Sequence, residues 1–253
     1  MDANSFSIVA NMATLLTALA TLFAVLEMRR QRKSSFRPDL VVVNESIVAE
    51  KHPTISFPAP IRWHEPEVIY SGAVSVTTIA PIRLDYSVRV YNLGTGPAKD
   101  LIFEWSFDLS KLVEAVNSLS QRLFAGQFIE LTSANWLKFT SKSDGSNEIN
   151  LDGDLKREED FLLPSSIIHS PCLVRLPSSY INLISSYVQL SAKSGMDGIP
   201  NFQIPPLCLK MTFRDMDGSS VHRKFSFGFE LIAVSVGNYP IGSFHAILKA
   251  SSC

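Results

Sequence analysis

Length, composition and charge exclude several classes of protein at the outset. The chain has 253 residues, with 23 Lys and Arg against 24 Asp and Glu, so its net charge is −1. A near-neutral chain lacks the basic excess of a general nucleic-acid-binding protein, and no nucleic-acid partner is expected. The cysteines Cys172, Cys208 and Cys253 are odd in number and far apart, which predicts reduced thiols rather than a disulfide framework or a zinc site.

The N-terminal segment is apolar for long enough to cross a membrane. No charged residue occurs between Ala3 and Leu26. A spanning helix needs about 20 mostly apolar residues, because the hydrocarbon core is about 30 Å thick. A cleaved signal peptide would begin with basic residues and have a shorter apolar run, and a buried core helix would usually contain charges. We therefore predict that residues 1–35 form a transmembrane anchor.

A cluster of basic residues follows the predicted helix, and none precedes it. Positive charge is retained on the cytoplasmic side of a membrane. This predicts a single-pass protein of the inner membrane, with its N-terminus outside and its domain in the cytoplasm, where thiols stay reduced. The cluster should also contact anionic lipid headgroups. The residues that we assign to the membrane surface, called the basic collar below, are Arg29, Arg30, Arg32 and Lys33.

Polar residues recur along one side of the predicted helix. Asn11, Thr14, Thr17 and Thr21 are three or four residues apart, and alanines lie close to the same side. In lipid, small residues let helices approach closely, and Asn or Thr can form hydrogen bonds across the contact. We predict helix association, and therefore a homo-oligomer, through this polar stripe. The alternative is that the threonines bond to their own helix backbone and are simply tolerated in an anchor.

Residues 36–253 show the alternation of a β domain. Apolar and polar residues alternate over 82–91 and again over 101–108, and a Gly-rich turn separates the two predicted strands. A second pair of runs at 207–214 and 224–231 flanks an Asp/Gly turn and predicts a hairpin. Short strands with Gly/Pro-rich connections predict a mainly β fold, a cytosolic β-sandwich with one or two short inserted helices behind the transmembrane helix.

Weaker patterns complete the predicted domain. Strands are predicted at Leu40–Val43 and, within a proline-rich stretch, at Val74–Ile79. Helical spacing predicts a helix over 108–126, from its Asp cap to its Gly stop, and a short helix over Pro177–Tyr187. The polar stretch 141–160 is expected to be an exposed loop. The predicted core consists of Leu84, Tyr86, Val88, Leu101, Phe103, Trp105, Leu209, Met211, Phe213, Phe225, Phe227 and Phe229.

One segment resembles a known structural element. Residues 89–101, with the sequence RVYNLGTGPAKDL, are similar to the strand–NxGxGxA–strand element of bacterial immunoglobulin-like adhesion and scaffold domains. The order of anchor, Arg-Pro-Asp-Leu segment, this element and a terminal hairpin resembles uncharacterised bacterial single-pass membrane proteins with a cytosolic immunoglobulin-like β-sandwich. Some small anchored proteins of that layout act in anti-phage defence. The resemblance implies a β-sandwich and implies no catalytic residue.

No motif in the chain predicts a catalytic, cofactor or metal site. The Gly-Thr-Gly run at 94–96 lacks the Lys of a Walker loop and the third Gly of a dinucleotide loop, so a turn is expected. Asp215 and Asp217 lack the further acids of an EF-hand, as do Asp152 and Asp154. The five histidines show no metal-binding spacing, and there is no GxSxG motif. No cofactor is therefore expected.

Three functions are open from the sequence. The first is a membrane-anchored domain that senses or holds a protein partner, and one version of it is an anti-phage effector that acts on the membrane through clustered helices. The second is a membrane-tethered enzyme whose site is assembled from scattered residues. The third is a lipid-facing domain that uses the basic collar and exposed aromatics such as Trp63 and Trp136.

The association hypothesis predicts that the isolated segment 1–35 forms dimers or higher oligomers in a membrane, because its polar stripe and alanines allow close, hydrogen-bonded packing. A cross-linking or reporter assay on this segment measures the association. An assay that detects only monomer contradicts it.

Overall fold

The apolar N-terminal run folds as one long helix, α1 (Ala3–Ser35). Within it, Asn11–Gln31 is long and apolar enough to span a membrane, and none of it is buried against the described part of the chain. Its Leu, Phe and Met side chains are exposed. A core helix would instead bury its apolar face. The computed structural model describes residues 3–50, 61–66, 86–132, 135–141, 145–194, 204–235 and 243–253.

The other described residues fold as a β domain with inserted helices. Strand accounts for 46% of residues against 30% for helix, so the predicted mainly β class is confirmed. The strands are β1 Leu40–Val42, β2 Glu45–Glu50, β3 Arg62–His64, β4 Ser87–Asn92, β5 Ala98–Ser106, β6 Gln127–Leu131, β7 Trp136–Ser141, β8 Gly145–Asn150, β9 Lys156–Leu162, β10 Cys172–Arg175, β11 Leu207–Arg214, β12 Ser220–Ser235 and β13 Ser243–Ser252. The inserted helices are α2 Leu109–Arg122, α3 Leu151–Leu155 and α4 Ser178–Lys193.

The described strands form three sheets with antiparallel pairing. The small sheet has the order β1-β4-β10, and the large sheet has the order β3-β2-β13-β12-β11-β5-β9. A separate meander contains β6, β7 and β8 in that order. Buried side chains from all three sheets and from the inserted helices belong to one hydrophobic core. The β domain is therefore a curled set of sheets around a common core rather than several independent units.

The period-two alternation of the sequence determines which face of each strand is buried. On β5, Phe103 and Trp105 are buried, and Phe103 pairs in register with Met211 of β11. The predicted hairpin of β11 and β12 is confirmed. Among the predicted core residues that the structure describes, Phe229 is partly buried and the others are buried. Leu84 lies outside the described residues, as does the predicted strand Val74–Ile79.

The chain changes sheet at the Gly-rich turn after β4. The two strands with the clearest alternation, β4 and β5, do not pair with each other, because β4 lies in the small sheet and β5 in the large sheet. β1 and β2 are likewise consecutive in the chain and lie in different sheets. These two crossings connect the layers of the domain directly.

The predicted helix at 108–126 forms as α2. The Asp108 carboxylate accepts a hydrogen bond from the Lys111 backbone N–H at 3.0 Å, as expected for an N-cap. The helix ends at Arg122, a few residues before the predicted stop at Gly126. Phe124 and Gly126 both have a positive φ, of 49° and 68°, which reverses the chain into β6.

The helix α4 lies at the centre of the domain and is longer than predicted. Its residues Ser179–Ser191 are all buried. The indole N–H of Trp63 on β3 donates to the hydroxyl of Ser185 at 3.0 Å, and Trp63 is buried. The expectation of an exposed Trp63 is therefore wrong. A buried indole needs a hydrogen-bond acceptor, and α4 supplies it. Trp136 is exposed, as expected.

The polar stretch 141–160 is not a loop, and that prediction is wrong. Its described residues form β8, α3 and most of β9. Both strands lie at sheet edges, where polar residues can occupy both faces and no alternation marks the strand. In α3, the Asp154 carboxylate accepts hydrogen bonds from the backbone N–H groups of Ser178 and Ser179 at 2.7 and 2.8 Å. This carboxylate caps the start of α4 from another element.

Four connections lie together at the end of the β domain where α1 enters, which we call the helix-side end. Strand register brings them together. The paired residues are Leu40 with Asn92, Val90 with Cys172, Ala98 with Leu162, Lys99 with Arg214, and Arg214 with Ser220. The connections at this end are the linker Phe36–Asp39, the turn 92–97, the loop 163–171 and the turn 215–219.

Removal of the Asp154 carboxylate should destabilise the domain through α4. The Asp154→Ala variant leaves backbone N–H groups at the start of α4 without their acceptor, which lowers the free energy of unfolding by about 1–2 kcal/mol. Chemical denaturation followed by circular dichroism measures this loss. Asp160→Ala, at an exposed position of β9, is the matched control and should change stability by less than about 0.5 kcal/mol. Equal losses in the two variants contradict the capping role.

Candidate functional site at the helix-side end

The residues of the predicted polar stripe all lie on α1. Asn11, Thr14, Thr17 and Thr21 are exposed. The Thr17 hydroxyl donates to the Ala13 carbonyl, and the Thr21 hydroxyl donates to the Thr17 carbonyl, both at 2.8 Å. This is the bonding within the helix that the alternative interpretation describes, and it satisfies these two hydroxyls without a partner helix. Helix association stays a prediction.

The basic collar lies near the C-terminal end of the same helix. Arg29 and Arg30 are exposed. Arg32 and Lys33 belong to the last turns before α1 ends at Ser35. The linker begins directly after the collar, so α1 and its charges connect to the β domain through the helix-side end.

Asn92, the last residue of β4, holds the linker against the domain. Its side chain is fully buried. Oδ1 accepts hydrogen bonds from the backbone N–H groups of Asp39 and Gly94, both at 3.1 Å. Nδ2 donates to the carbonyls of Gly96 at 2.8 Å and Leu162 at 3.2 Å. A side-chain amide has two acceptor positions and two donor hydrogens, so Asn92 uses its whole hydrogen-bonding capacity here.

Backbone hydrogen bonds reinforce the same contact. The Leu93 N–H donates to the Asp39 carbonyl at 2.8 Å, and the Thr95 N–H donates to the Arg37 carbonyl at 3.1 Å. The loop 163–171 is joined to the contact by the Ser165 N–H, which donates to the Asn92 carbonyl at 2.8 Å. The linker is therefore bonded into the domain and is not a free tether.

Gly94 and Gly96 allow this close approach. A Cβ at Gly94 would lie 2.2 Å from the Arg37 carbonyl oxygen, and a Cβ at Gly96 would lie 2.1 Å from the Phe36 carbonyl oxygen. Ordinary contact distances are about 3.5 Å or more, and the obstacle is backbone, which cannot rotate away. The predicted turn is confirmed. Its glycines serve to pack the linker.

An ion pair between a buried carboxylate and a partly exposed arginine joins the two sheets three residues along β4 from Asn92. Glu45 of β2 is fully buried. Arg89 of β4 donates to the two Glu45 carboxylate oxygens, through Nε at 3.0 Å and Nη2 at 2.6 Å. The Arg89 backbone N–H donates to the same carboxylate at 3.0 Å. The Tyr86 hydroxyl donates to the Ser46 carbonyl at 3.2 Å and lies 3.4 Å from a Glu45 oxygen.

The protonation states in this network are those of residues that stabilise the fold. The hydrogen bond with Glu45 raises the pKa of Arg89, and the guanidinium stays charged. Burial, together with the Glu45 charge, raises the pKa of Tyr86, so its phenol stays protonated. The polar atoms of Glu45 and Tyr86 bond within the network and to backbone, and Arg89 also lies 3.4 Å from the exposed Glu65 carboxylate. Such mutual satisfaction is what a buried charge requires in a core.

The residues considered for calcium have structural roles. The Asp215 Oδ1 accepts from the backbone N–H groups of Asp217 and Ser219 at 3.0 and 2.8 Å, so the predicted hairpin turn is confirmed. Asp154 caps α4, and Asp152 accepts from a neighbouring side-chain amide at 2.6 Å. Within the described ranges, no group of three or more His, Cys, Asp or Glu is placed to hold a metal ion.

Histidines and cysteines in the described residues are dispersed. His245 lies 2.9 Å from the Ser46 hydroxyl, and His222 lies 3.1 Å from the Thr212 hydroxyl, each a local contact between neighbouring strands. The cysteines are free thiols. Burial, together with a nearby carboxylate, raises the pKa of Cys172, which disfavours the thiolate that nucleophilic catalysis requires.

An open hollow of about 590 Å³ lies at the opposite end of the domain. Its charged lining groups are paired, since Lys210 donates to Glu104 at 2.9 Å and Lys156 bonds to Glu158 at 2.7 Å. Its lining contains neither His nor Cys. A smaller hollow of about 280 Å³ lies at the helix-side end, lined by Arg37, Pro38, Asp215, Ser219, Val221 and Arg223.

No known protein family, curated protein or solved structure matches the chain. The class of protein is therefore described from the structure itself. The chain combines an exposed apolar helix of membrane-spanning length, a basic collar and a mainly β domain that is bonded to the linker after the helix.

The sequence predicted the turn at 92–97 but not its partner. Nothing in the spacing of Asn92, Gly94 and Gly96 indicates that they pack against Phe36–Asp39, which is more than fifty residues away in the chain. The ion pair of Glu45 and Arg89 was also missed. Arg89 occupies a polar position of an alternating strand, and this position alone predicts exposure rather than a buried partner.

A side chain at Gly96 should disturb the linker specifically. In Gly96→Ala the new Cβ collides with the Phe36 backbone, and we expect the free energy of unfolding to fall by about 1–3 kcal/mol. Proteolysis should also become faster at Phe36–Asp39 than in the unaltered chain. Gly228→Ala is the matched control, because a Cβ there meets nothing within 4 Å. If both variants behave alike, the close approach is not a constraint on the fold.

Proposed function

We propose that the protein is a single-pass inner-membrane protein whose β domain senses or holds a protein partner at the cytoplasmic surface. The observation that carries this proposal is the exposure of the whole apolar stretch Asn11–Gln31 next to a linker bonded into the domain. Burying a large apolar side chain stabilises by about 1.5–3 kcal/mol, so a helix exposing many of them requires an apolar environment. A bilayer supplies that environment.

The bonded linker supports a role that depends on the position of the domain. A flexible Gly/Ser-rich tether would leave a domain free to move over tens of ångströms. Here the linker Phe36–Asp39 is bonded to Asn92 and to the backbone of the turn 92–97. The domain is therefore kept close to the end of α1, as suits a sensor or scaffold whose partner is also at the membrane.

The basic collar supports the cytoplasmic orientation. Arg29 and Arg30 are exposed at the domain side of the spanning stretch. Positive residues near the end of a single span keep that end in the cytoplasm and attract anionic headgroups. The interaction with membrane lipid and the orientation of the chain thus rest on the same residues.

A membrane-acting version of this function is an effector of anti-phage defence, in which clustered α1 helices perturb the bilayer. The exposed stripe of Asn11, Thr14, Thr17 and Thr21 supports clustering. This version predicts a loss of membrane potential on overexpression, which a potential-sensitive dye measures. Unchanged potential and viability, with and without the partner, contradict it.

The alternative of a membrane-tethered enzyme has weaker support from the described residues. The larger hollow is open, and its two lysines are paired with Glu104 and Glu158. Open, internally paired surfaces favour contact with a macromolecule over the enclosed site that a small substrate usually occupies.

The proposal predicts that the full chain stays in the membrane with its N-terminus outside. The chain should resist extraction by alkaline carbonate. The exposed Cys253 should react with an impermeant maleimide only after the inner membrane is permeabilised. A Ser5→Cys variant with Cys253→Ser should react in intact cells. A mature chain without its N-terminal segment, or the reverse labelling pattern, contradicts the proposal.

The interaction role is tested in the same membranes. The full chain is purified from native membranes. The control is a fusion protein in which residues 1–35 are followed by an unrelated domain, purified in the same way. A protein recovered in near-equal amount with the full chain and not with the control supports the role. Recovery of the same proteins with both, or of none with either, contradicts it.

A further inference from the structure

Several exposed apolar side chains lie on the connections at the helix-side end. Leu93 projects from the turn 92–97, and Met216 from the turn 215–219. Ile167 and Ile168 lie in the loop 163–171, and Phe36 opens the linker. These five side chains are between 45% and 67% exposed. We call them the apolar rim.

Hydrogen bonds and a shared hollow bring together the segments that carry the rim residues. Leu93 adjoins Asn92, whose carbonyl accepts from Ser165, and Ile167 follows two residues later. Met216 adjoins Asp215, which lines the same hollow as Arg37 of the linker. Each of these connections meets the linker or the turn bonded to it. The rim residues therefore lie on connections next to the linker that follows α1.

Chain length limits the distance between the rim and the proposed membrane span. From Gln31, which ends the spanning stretch, to Ser35 the helix rises only about 6 Å. The headgroup layer extends about 5–7 Å beyond the hydrocarbon core on each side. The linker then adds at most about 14 Å before it reaches its bonded partners. The rim therefore lies no farther than about 15 Å beyond the headgroup layer.

Charge at this end is mixed. Arg223 is 3.4 Å from Asp39 and Arg214 is 3.5 Å from Asp100, so these two acids are paired with bases. Met216 lies between Asp215, which accepts hydrogen bonds from the backbone of its own turn, and the exposed Asp217. Arg37 is exposed beside the rim, next to the basic collar. Apolar side chains flanked by basic residues are typical of surfaces that insert into the boundary between headgroups and acyl chains.

We infer that the β domain docks on the bilayer surface through the apolar rim, with Leu93, Ile167 and Met216 at headgroup depth. This inference rests on the proposed function, because it requires α1 to span the membrane. It differs from the lipid-facing surface expected from the sequence, since Trp63 is buried and Trp136 lies on β7, outside the rim. The occupant of the rim is lipid, and the domain is held in one orientation by two attachments, the helix and the rim.

Site-specific fluorescence in the full chain tests this inference. The three native cysteines are replaced by Ala, and an environment-sensitive dye is attached at Leu93→Cys, Ile167→Cys or Met216→Cys. The chain is placed in vesicles of phosphatidylcholine and phosphatidylglycerol with a nitroxide on the headgroup. The rim labels should be quenched several-fold more than a label at Ile232→Cys. Ile232 is exposed and lies twelve residues along β12 from Ser220, roughly 40 Å from the helix-side end.

A label at Phe23→Cys, within the spanning stretch, separates failure of this inference from failure of the proposed function. A nitroxide in the acyl chain should quench it. If the label at position 23 is not quenched, both the membrane span and the docking of the rim are overturned. If that label is quenched and the rim labels are not, only the docking of the rim is overturned. Rim labels that are shielded from a water-soluble quencher yet not quenched by lipid show a protein contact there, which also overturns the inference.

A variant and a measurement on the unaltered chain complete the test. Leu93→Asp with Met216→Asp should remove lipid quenching from a label at Ile167→Cys, while Ile232→Asp should not. In the unaltered chain, hydrogen exchange at 163–171 and 215–219 should be slower in vesicles than in detergent. Equal exchange in the two environments contradicts docking even if the labelled variants fold poorly.

Discussion

The four hydrogen bonds of the Asn92 side chain are the constraint on which the junction between helix and domain depends. They bring together the linker after α1, the turn after β4 and the end of β9, which are far apart in the sequence. A buried amide with every donor and acceptor satisfied has only one arrangement of its partners. Gly94 and Gly96 remove the side chains that would otherwise obstruct that arrangement.

The strand β4 connects this junction to the interior. Asn92 lies at one end of it, and Arg89 of the same strand bonds to the buried Glu45 of the large sheet. Removing a charge from water is costly, and the bidentate bond and the backbone N–H offset this cost only in one geometry. The two contacts fix the small sheet relative to both the linker and the large sheet. A displacement of the linker would therefore move β4 and strain its ion pair with the large sheet.

The strands with one buried and one polar face were predictable, because the alternation of apolar and polar residues indicates which face is buried. This applies to β4, β5 and the β11–β12 hairpin, and to the core residues they contribute. The edge strands β8 and β9 were missed because an edge strand can be polar on both faces. The full burial of α4 and of Trp63 was also missed. Whether an apolar or mixed segment is buried depends on which other segments pack against it. The periodicity within the segment does not predict those partners.

The sequence by itself determined the long apolar helix, the basic collar behind it and the mainly β class. These features depend on properties of consecutive residues: hydropathy, charge and period. Only the tertiary structure decided that β4 and β5 lie in different sheets, that Asn92 bonds to the linker, and that exposed apolar side chains lie on the connections at the helix-side end. These features join residues more than fifty positions apart. Their physical cause is the satisfaction of buried polar groups and the register between strands, which exist only once the chain has folded.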